Sequence, residues 1–166
     1  MEVSINKNVK LSPHFTLGEV TKTSYATAEG NIPSRVAIEN LRNICEGWLE
    51  DLRYSYNRLY GEPSPDPSEG RGGEIPVVIT SGYRSEEVNR KCGGAKGSNH
   101  LTGCAVDIRC MGPEQMIRYV GILLDIADGT HRDFDELIQE KRGSTYWIHF
   151  AVRPKDNRRR ILFDIR

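Results

Sequence analysis

Two histidines and one aspartate are the residues of this sequence whose types and spacing could do chemistry. His100 and Asp107 have six residues between them, and His149 lies near the end of the chain. Imidazole nitrogen and ionised carboxylate oxygen bind zinc at about 2.0–2.2 Å. Three such ligands leave the fourth tetrahedral position to water, as in a hydrolytic rather than a structural zinc site. Taken alone, the residues also fit ordinary core or surface histidines, which are commoner than metal ligands.

Two strands and one turn must bring these side chains together. Cys104–Cys110 is predicted to be a strand, and Asp107 lies on it. His100 precedes that strand in a glycine-containing turn, so a chain that bends back after His100 brings both side chains to one point. Thr145–Arg153 is predicted to be a neighbouring strand whose alternation places His149 on a single face.

Helices that could cover such a sheet are predicted from their start signals. Thr16, Ser34 and Ser85 are suitable N-caps, and Pro113 suits a first helical position. The helix after Ser34 should be long, because its apolar residues recur every three or four positions until Gly61.

The remaining segments complete the predicted architecture. Strands are expected over Ile75–Thr80, Phe134–Glu140 and near Arg160–Ile165. Glu62–Glu74 is rich in Pro, Gly, Ser and acid, so we expect a mobile loop rather than a domain linker. The sequence therefore predicts one α+β domain over residues 1–166: an antiparallel sheet with helices packed on it and a zinc cleft opening on the sheet.

Composition excludes several function classes. Lys+Arg and Asp+Glu are both 23 in 166 residues, so no net field favours nucleic acid or an anionic membrane. The basic run Arg158–Arg160 lacks interleaved aromatics and is interpreted as a solvated strand edge. No apolar run approaches the roughly 20 residues that span a bilayer. The N-terminal segment has no secretory-type apolar core, so we expect a protein that is cytoplasmic as synthesised.

The four cysteines show no CxxC pairing. Without a signal peptide, disulfides are not expected, and free thiols are the simplest interpretation. A thiolate zinc site is the alternative, although the spacings are not those of a zinc ribbon or finger.

Five motifs occur in this order along the chain: SGYRS, Asn89, Gly93-Gly94, S-x-H-x-x-G-x-A-x-D-I from Ser98, and W-x-H ending at His149. Together they resemble the D-alanyl-D-alanine metallocarboxypeptidase family of LAS-type zinc peptidases. That family includes D,D-carboxypeptidases, vancomycin-resistance D,D-dipeptidases, phage L-alanyl-D-glutamate endopeptidases and the Hedgehog signalling domain. The resemblance runs from about His14 to the C-terminus and is to the bacterial and phage branch that cuts peptidoglycan peptides.

The resemblance implies a Hedgehog/D,D-peptidase-like zinc cleft with His100, Asp107 and His149 as the Zn²⁺ ligands. It implies hydrolysis of an amide bond in peptidoglycan peptide stems, as a carboxypeptidase or an endopeptidase. Arg84, the arginine of SGYRS, would lie beside the zinc and bind the scissile carbonyl as charge grows on it, a role that a guanidinium suits. Ser98 matches a serine that helps to hold substrate in relatives, but it could equally cap local amides.

The general base is the assignment in which this sequence departs from part of the family. Carboxypeptidase relatives place Asp or Glu three residues before the last histidine, where this chain has Tyr146. A second family arrangement has Phe-Asp, four residues, then Glu, which Phe134 to Glu140 fits. Glu140 is therefore the predicted base. Three other acids are alternatives: Asp133, Asp135 and Glu136.

Two other functions stay open at this point. The missing acid at Tyr146 would suit a catalytically silent zinc-binding module that recognises wall peptides or a protein partner, as the Hedgehog domain does. A metal-free structural protein of a phage particle is the third hypothesis. An enzyme of the wall would need delivery without a signal peptide, for which a phage lysis system or tail component is the conjecture. The sequence does not indicate an oligomeric state.

Overall fold

The computed structural model describes residues 6–61 and 73–165. The helices are α1 Leu17–Thr21, α2 Arg35–Ile44, α3 Glu50–Tyr60, α4 Glu86–Lys91 and α5 Pro113–Thr130. The strands are β1 Ile79–Ser81, β2 Ala105–Cys110, β3 Glu136–Arg142, β4 Thr145–Ala151 and β5 Arg160–Ile165. A π-helical segment, Cys45–Leu49, joins α2 to α3, and a 3-10 turn, Asn99–Thr102, precedes β2. The predicted loop Glu62–Glu74 falls outside the described residues except for its last two positions.

The five strands form one sheet in the order β1-β2-β4-β3-β5, which confirms the predicted α+β class. The pairs β1–β2, β2–β4 and β4–β3 are antiparallel. The last strand differs from the all-antiparallel expectation, because β5 runs parallel to β3. Strand β4 already has β2 and β3 on its two sides. The chain reverses after β4 and pairs at the outer edge of β3, so it runs in the direction of β3.

The two faces of the sheet have different roles. One face is the core, where Val106, Ile108, Leu137, Ile148 and Phe150 are fully buried. Trp48 from the π-helical segment packs edge-on against Phe150 with ring centroids 5.1 Å apart. Because successive side chains of a strand alternate, the neighbouring residues of β2, β3 and β4 point to the other face, where the cleft lies.

The predicted helix starts are confirmed. Thr16 and Glu19 form a capping box, in which the Thr16 hydroxyl accepts from the Glu19 N–H and the Glu19 carboxylate accepts from the Thr16 N–H. Ser34 and Ser85 likewise cap α2 and α4 through their hydroxyls. The long helix reaches Gly61 as predicted, with the π-helical segment as an unpredicted irregularity.

Strand β1 is shorter than the predicted Ile75–Thr80. It begins only at Ile79, and Pro76 has no N–H to contribute to a ladder. The preceding segment still follows the sheet, since the Arg109 N–H donates to the Val78 carbonyl at 2.9 Å. Within the described residues, no helix is long and apolar enough to cross a membrane.

Candidate metal centre

His100 is placed by a short turn with defined caps. The Ser98 hydroxyl accepts from the His100 N–H at 3.3 Å, and Gly103 ends the turn in the left-handed conformation with φ of 71°. A Cβ on Gly103 would lie 2.3 Å from the Ala37 carbonyl oxygen, so this residue also lets the turn approach α2 closely. His100 is consequently 1% exposed under the cleft floor.

Asp107 and His149 come from neighbouring strands. They are direct partners in the β2–β4 register, so both side chains lie on the cleft face at one level. In an antiparallel pair such residues have Cβ atoms about 4.5–5.5 Å apart, which lets their side chains converge on one point.

The three side chains meet through one atom each. His100 Nε2 lies 3.2 Å from Asp107 Oδ1 and 3.1 Å from His149 Nδ1. His149 Nδ1 lies 3.1 Å from Asp107 Oδ1. Ligands at about 2.0–2.1 Å from a tetrahedral zinc are separated by about 3.3 Å. The triangle of donor atoms therefore fits a zinc ion with little movement, and the three residues form a group able to hold a metal.

An oxygen acceptor on the far side of each ring sets which nitrogen faces the centre. His100 Nδ1 lies 2.6 Å from the Gly82 carbonyl oxygen, which can only accept, so Nδ1 carries the hydrogen. His149 Nε2 lies 3.5 Å from Glu136 Oε2, which orients that ring in the same way. The lone pairs of His100 Nε2, His149 Nδ1 and Asp107 Oδ1 then face one another. A proton or a metal cation between them removes this repulsion.

The electrostatics of the group are consistent with that need. Burial lowers the pKa of His100, so its ring is neutral near pH 7. Burial would also lower the pKa of His149, but hydrogen bonds to Asp107 and Glu136 outweigh it and raise the pKa to about 9. Burial would raise the pKa of Asp107, but the two imidazoles outweigh it and hold that pKa well below the usual range. The raised pKa of His149 favours a proton between these atoms, and a bound cation would take the place of that proton.

Glu136 is already engaged by several donors. Besides His149, it accepts from Asn99 Nδ2 at 3.2 Å, from Arg158 at 2.9 Å and from Arg160 at 3.0 Å. The hydrogen bond with His149 holds the pKa of Glu136 below its usual value. Glu136 is thus an ionised acceptor that orients His149. The sequence indicated Glu136 only as an alternative general base and did not predict this orienting role.

Arg84 lies in the cleft wall and pairs with Asp107, a partner that the sequence analysis did not include. Its Nη2 donates to Asp107 Oδ2, the oxygen that does not face the histidines, and its Nε donates to Ser81 Oγ at 2.9 Å. The guanidinium therefore fixes the Asp107 carboxylate and leaves Oδ1 for the centre. Nη1 has no hydrogen-bond partner within the described ranges. The predicted contact of Arg84 with a scissile carbonyl stays a prediction.

Glu140 and Tyr146 lie on different sides of the sheet. Glu140 lines the cleft together with Trp147 and His149. Burial, reinforced by the charge of Asp107, raises the pKa of Glu140, which suits a group that accepts a proton near neutral pH. Tyr146 has the opposite parity to His149 on β4 and packs against the hydrophobic core, so that position does not face the cleft. The role of Glu140 as base stays a prediction.

The other acids suggested as alternatives are placed elsewhere. Asp135 is fully buried and accepts from Arg158 Nε at 2.8 Å and from Asn99 Nδ2 at 2.8 Å. Asp133 pairs with Arg159 at the surface. Ser98 borders the cleft, and its hydroxyl has the capping role described above. Its contact with substrate stays a prediction.

The basic run differs from the expected solvated edge. All three arginines are paired with acids: Arg158 with Asp135 and Glu136, Arg159 with Asp128 and Asp133, and Arg160 with Glu136. The paired residues are about 22 to 31 positions apart in the sequence, so sequence analysis did not predict these ion pairs. The metal-capable group in the described part of the chain contains no cysteine, which leaves the thiolate alternative without support.

The cleft above the centre has a volume of about 680 Å³. Its walls come from the segment 92–98 on one side and from the exposed face of β3 on the other. Charged groups of both signs and the ring of Trp147 line it.

Residues 69–124 match the family model described as Peptidase M15. The matched range is about a third of the chain and contains Arg84, His100 and Asp107. It ends before His149, which the β2–β4 pairing brings to the same point. In a comparison with curated proteins, no match was found.

Proposed function

We propose that this chain, whose residues 69–124 match the Peptidase M15 family model, is a zinc peptidase of the D-Ala-D-Ala carboxypeptidase-like type that acts on bacterial cell walls. Its substrate on this proposal is an amide bond in the peptide stems of peptidoglycan. The convergence of His100 Nε2, Asp107 Oδ1 and His149 Nδ1 on one point at the bottom of an open cleft is the observation that carries it.

The reaction divides between the metal and the side chains. When bound by these three residues, Zn²⁺ supplies a Lewis acid that polarises a carbonyl and acidifies water. Glu140 takes a proton from the attacking water and returns it to the leaving amine, for which its raised pKa is favourable. Arg84 keeps Asp107 in place through Nη2 and offers its remaining N–H groups to the oxygen on which charge develops. Ser98 contacts the bound peptide at the cleft border.

The substrate class is supported by the resemblance and by the polarity of the cleft. A zero net charge and a cleft lined by both signs of charge suit a peptide that itself carries both signs. On this proposal the enzyme reaches the wall by a phage-type route, with a lysis system or as a tail component.

Digestion of purified peptidoglycan, followed by mass spectrometry of the new termini, tests the proposal. Wild-type protein loaded with zinc should release new amino and carboxyl termini within the stems, and their identity distinguishes carboxypeptidase from endopeptidase action. Glu140→Gln should retain zinc and lose at least about 10²-fold in rate, since general base catalysis contributes about 10²–10⁴-fold. Glu114→Gln on the exposed start of α5 is the matched control and should cleave normally. Cleavage that survives Glu140→Gln would remove Glu140 from the mechanism.

A silent zinc-binding module is the second candidate. One observation favours it: Arg84 donates to Asp107 and to Ser81. These two hydrogen bonds occupy N–H groups of Arg84 that the enzyme proposal expects to bind substrate. Bound zinc, together with retention of peptidoglycan and no new termini in the same digestion, would establish this candidate in place of the enzyme.

A further inference from the structure

The outer edge of β5 is a surface that the proposed chemistry does not use. Among the described strands, β5 pairs only with β3, so its other edge has no strand beside it. Three consecutive apolar residues of this strand, Ile161, Leu162 and Phe163, are 47%, 40% and 58% exposed. An open edge with apolar side chains is a template for pairing with another strand.

One hydrogen bond establishes which backbone groups face outward. The Arg160 N–H donates to the Asp135 carbonyl at 3.0 Å, at the start of the β3–β5 ladder. Backbone groups of alternate residues in a strand point to opposite edges, so the even-numbered residues of β5 face β3. Ile161 and Phe163 therefore present their N–H and C=O groups to the open edge.

The sequence of β5 is complementary to itself when reversed. In an antiparallel pair of two β5 strands centred on Leu162, Ile161 lies opposite Phe163 of the second copy, and these two residues exchange the outward hydrogen bonds. In the same register, Arg160 lies opposite Asp164 of the second copy, on the same face of the sheet. An aromatic–β-branched pair and an opposite-charge pair are both favourable across strands.

We propose that two copies of this chain associate through β5 about a two-fold axis, so that their sheets join into one sheet of ten strands. A two-fold axis gives each favourable pair twice. A shift of the register by two residues would place Leu162 opposite Arg160 or Asp164 instead. The charges therefore select the register centred on Leu162.

The interface lies beside both clefts. Residues directly opposite each other in antiparallel strands lie on one face of the sheet, so both clefts open on the same side of the dimer. Arg160 lines the cleft of its own chain, which places the second copy's Asp164 at the cleft border. The association does not depend on the peptidase activity and can be tested apart from it.

Sedimentation velocity of the full chain over a concentration series tests the association. Wild-type protein should sediment as a dimer that dissociates on dilution. Phe163→Lys should raise the dissociation constant about tenfold or more, because it removes two aromatic contacts and places like charges near the axis. Ile117→Lys makes the same change at a residue of α5 that is 64% exposed and should leave the dimer intact. Circular dichroism checks that both variants fold.

Oxidative cross-linking tests the register. Leu162 faces its own counterpart at a non-hydrogen-bonded position, where Cα atoms are about 4.5 Å apart and a disulfide can form. Leu162→Cys should give a covalent dimer well above the wild-type background from the four native cysteines. Ile161→Cys, which faces Phe163, should not. A monomer at all concentrations, a dimer that Phe163→Lys does not weaken, or equal cross-linking by the two cysteine variants would overturn the proposal.

Discussion

At the residue scale, the choice of ring nitrogen is what makes the two histidines converge. The Gly82 carbonyl leaves His100 Nε2 for the centre, and Glu136 leaves His149 Nδ1. The two imidazoles thus present different nitrogens, and each is fixed by an acceptor behind the ring. Such outer partners raise the basicity of a ligand and restrict its orientation.

Replacing Glu136 should therefore weaken zinc binding without removing a ligand. We expect Glu136→Gln to lower zinc affinity by about 10–100-fold, the usual cost of losing an outer partner. Competition titration with a chromophoric chelator measures the affinity, with Glu114→Gln as the surface control. Unchanged affinity would show that the Glu136 contact does not orient His149.

The sequence predicted the three converging residues but not their outer partners. His100, Asp107 and His149 stand in recognisable motifs, so their types and order were sufficient. The contact of Glu136 with His149 depends on the register between β3 and β4, which turn length and twist determine. One feature of the sequence did point to this contact. Glu136 and Glu140 are four residues apart on one strand, so both side chains lie on the cleft face.

At the element scale, Gly82 connects α1 to the metal centre. A Cβ on this residue would lie 2.3 Å from the Val20 carbonyl oxygen, and the Tyr83 N–H donates to that same oxygen at 2.7 Å. The glycine of the SGYRS motif therefore permits a close approach of backbone to backbone, while its own carbonyl holds His100.

A methyl group at this position should separate the two backbones. We expect Gly82→Ala to destabilise the fold by about 1–3 kcal/mol, the usual cost of overpacking. It should also weaken zinc binding, because the carbonyl that orients His100 moves. Urea denaturation and the chelator titration measure the two effects, and Gly121→Ala, which has open space around it on α5, is the control. A stable variant with normal zinc affinity would contradict this account of the motif.

Asp135 ties three elements together at the other end of the cleft. It is fully buried at the start of β3 and accepts from Asn99 in the 3-10 turn and from Arg158 in the connection to β5. Hydrogen bonds from Arg158, which outweigh the effect of burial, hold the pKa of Asp135 well below its usual range.

The stability contributed by Asp135 should depend on pH with a definite sign. Because the folded pKa is lowered, the contribution is complete above the unfolded pKa of about 3.9 and is lost as the pH falls through the lower folded value. We expect Asp135→Asn to cost about 3 kcal/mol at pH 7, with a smaller difference from wild type toward pH 2. Urea denaturation across this range measures it, with Asp125→Asn on the exposed face of α5 as control. A difference independent of pH would contradict the ion-pair explanation.

The π-helical segment shows where periodicity is ambiguous. The apolar stripe of the long helix could be continued through Ile44 or Cys45 and then through Trp48 or Leu49. In the structure all four are at most 3% exposed, because the wider turn brings both members of each pair to the core. Two adjacent apolar residues, repeated after four positions, therefore indicated the π-helical segment. A regular α-helical period of 3.6 residues predicts only one buried residue at each of these positions.

At the scale of the whole molecule, the sheet separates stability from chemistry. One face buries the aromatic and aliphatic core, and the other carries the candidate centre on the central strands β2 and β4. The α+β class followed from the order of the elements. The parallel pairing of β5 did not, since it depends on which sheet edge is open when the chain leaves β4. The arginine pairs likewise depend on that final strand position.

The central claim is that His100, Asp107 and His149 bind one zinc ion through particular atoms. An anomalous difference map collected at the zinc absorption edge, from crystals of the full chain grown with zinc, tests it most directly. The account predicts one strong peak per chain at about 2.0–2.2 Å from His100 Nε2, Asp107 Oδ1 and His149 Nδ1. A map without a peak there, or a peak bound through His149 Nε2, would contradict it.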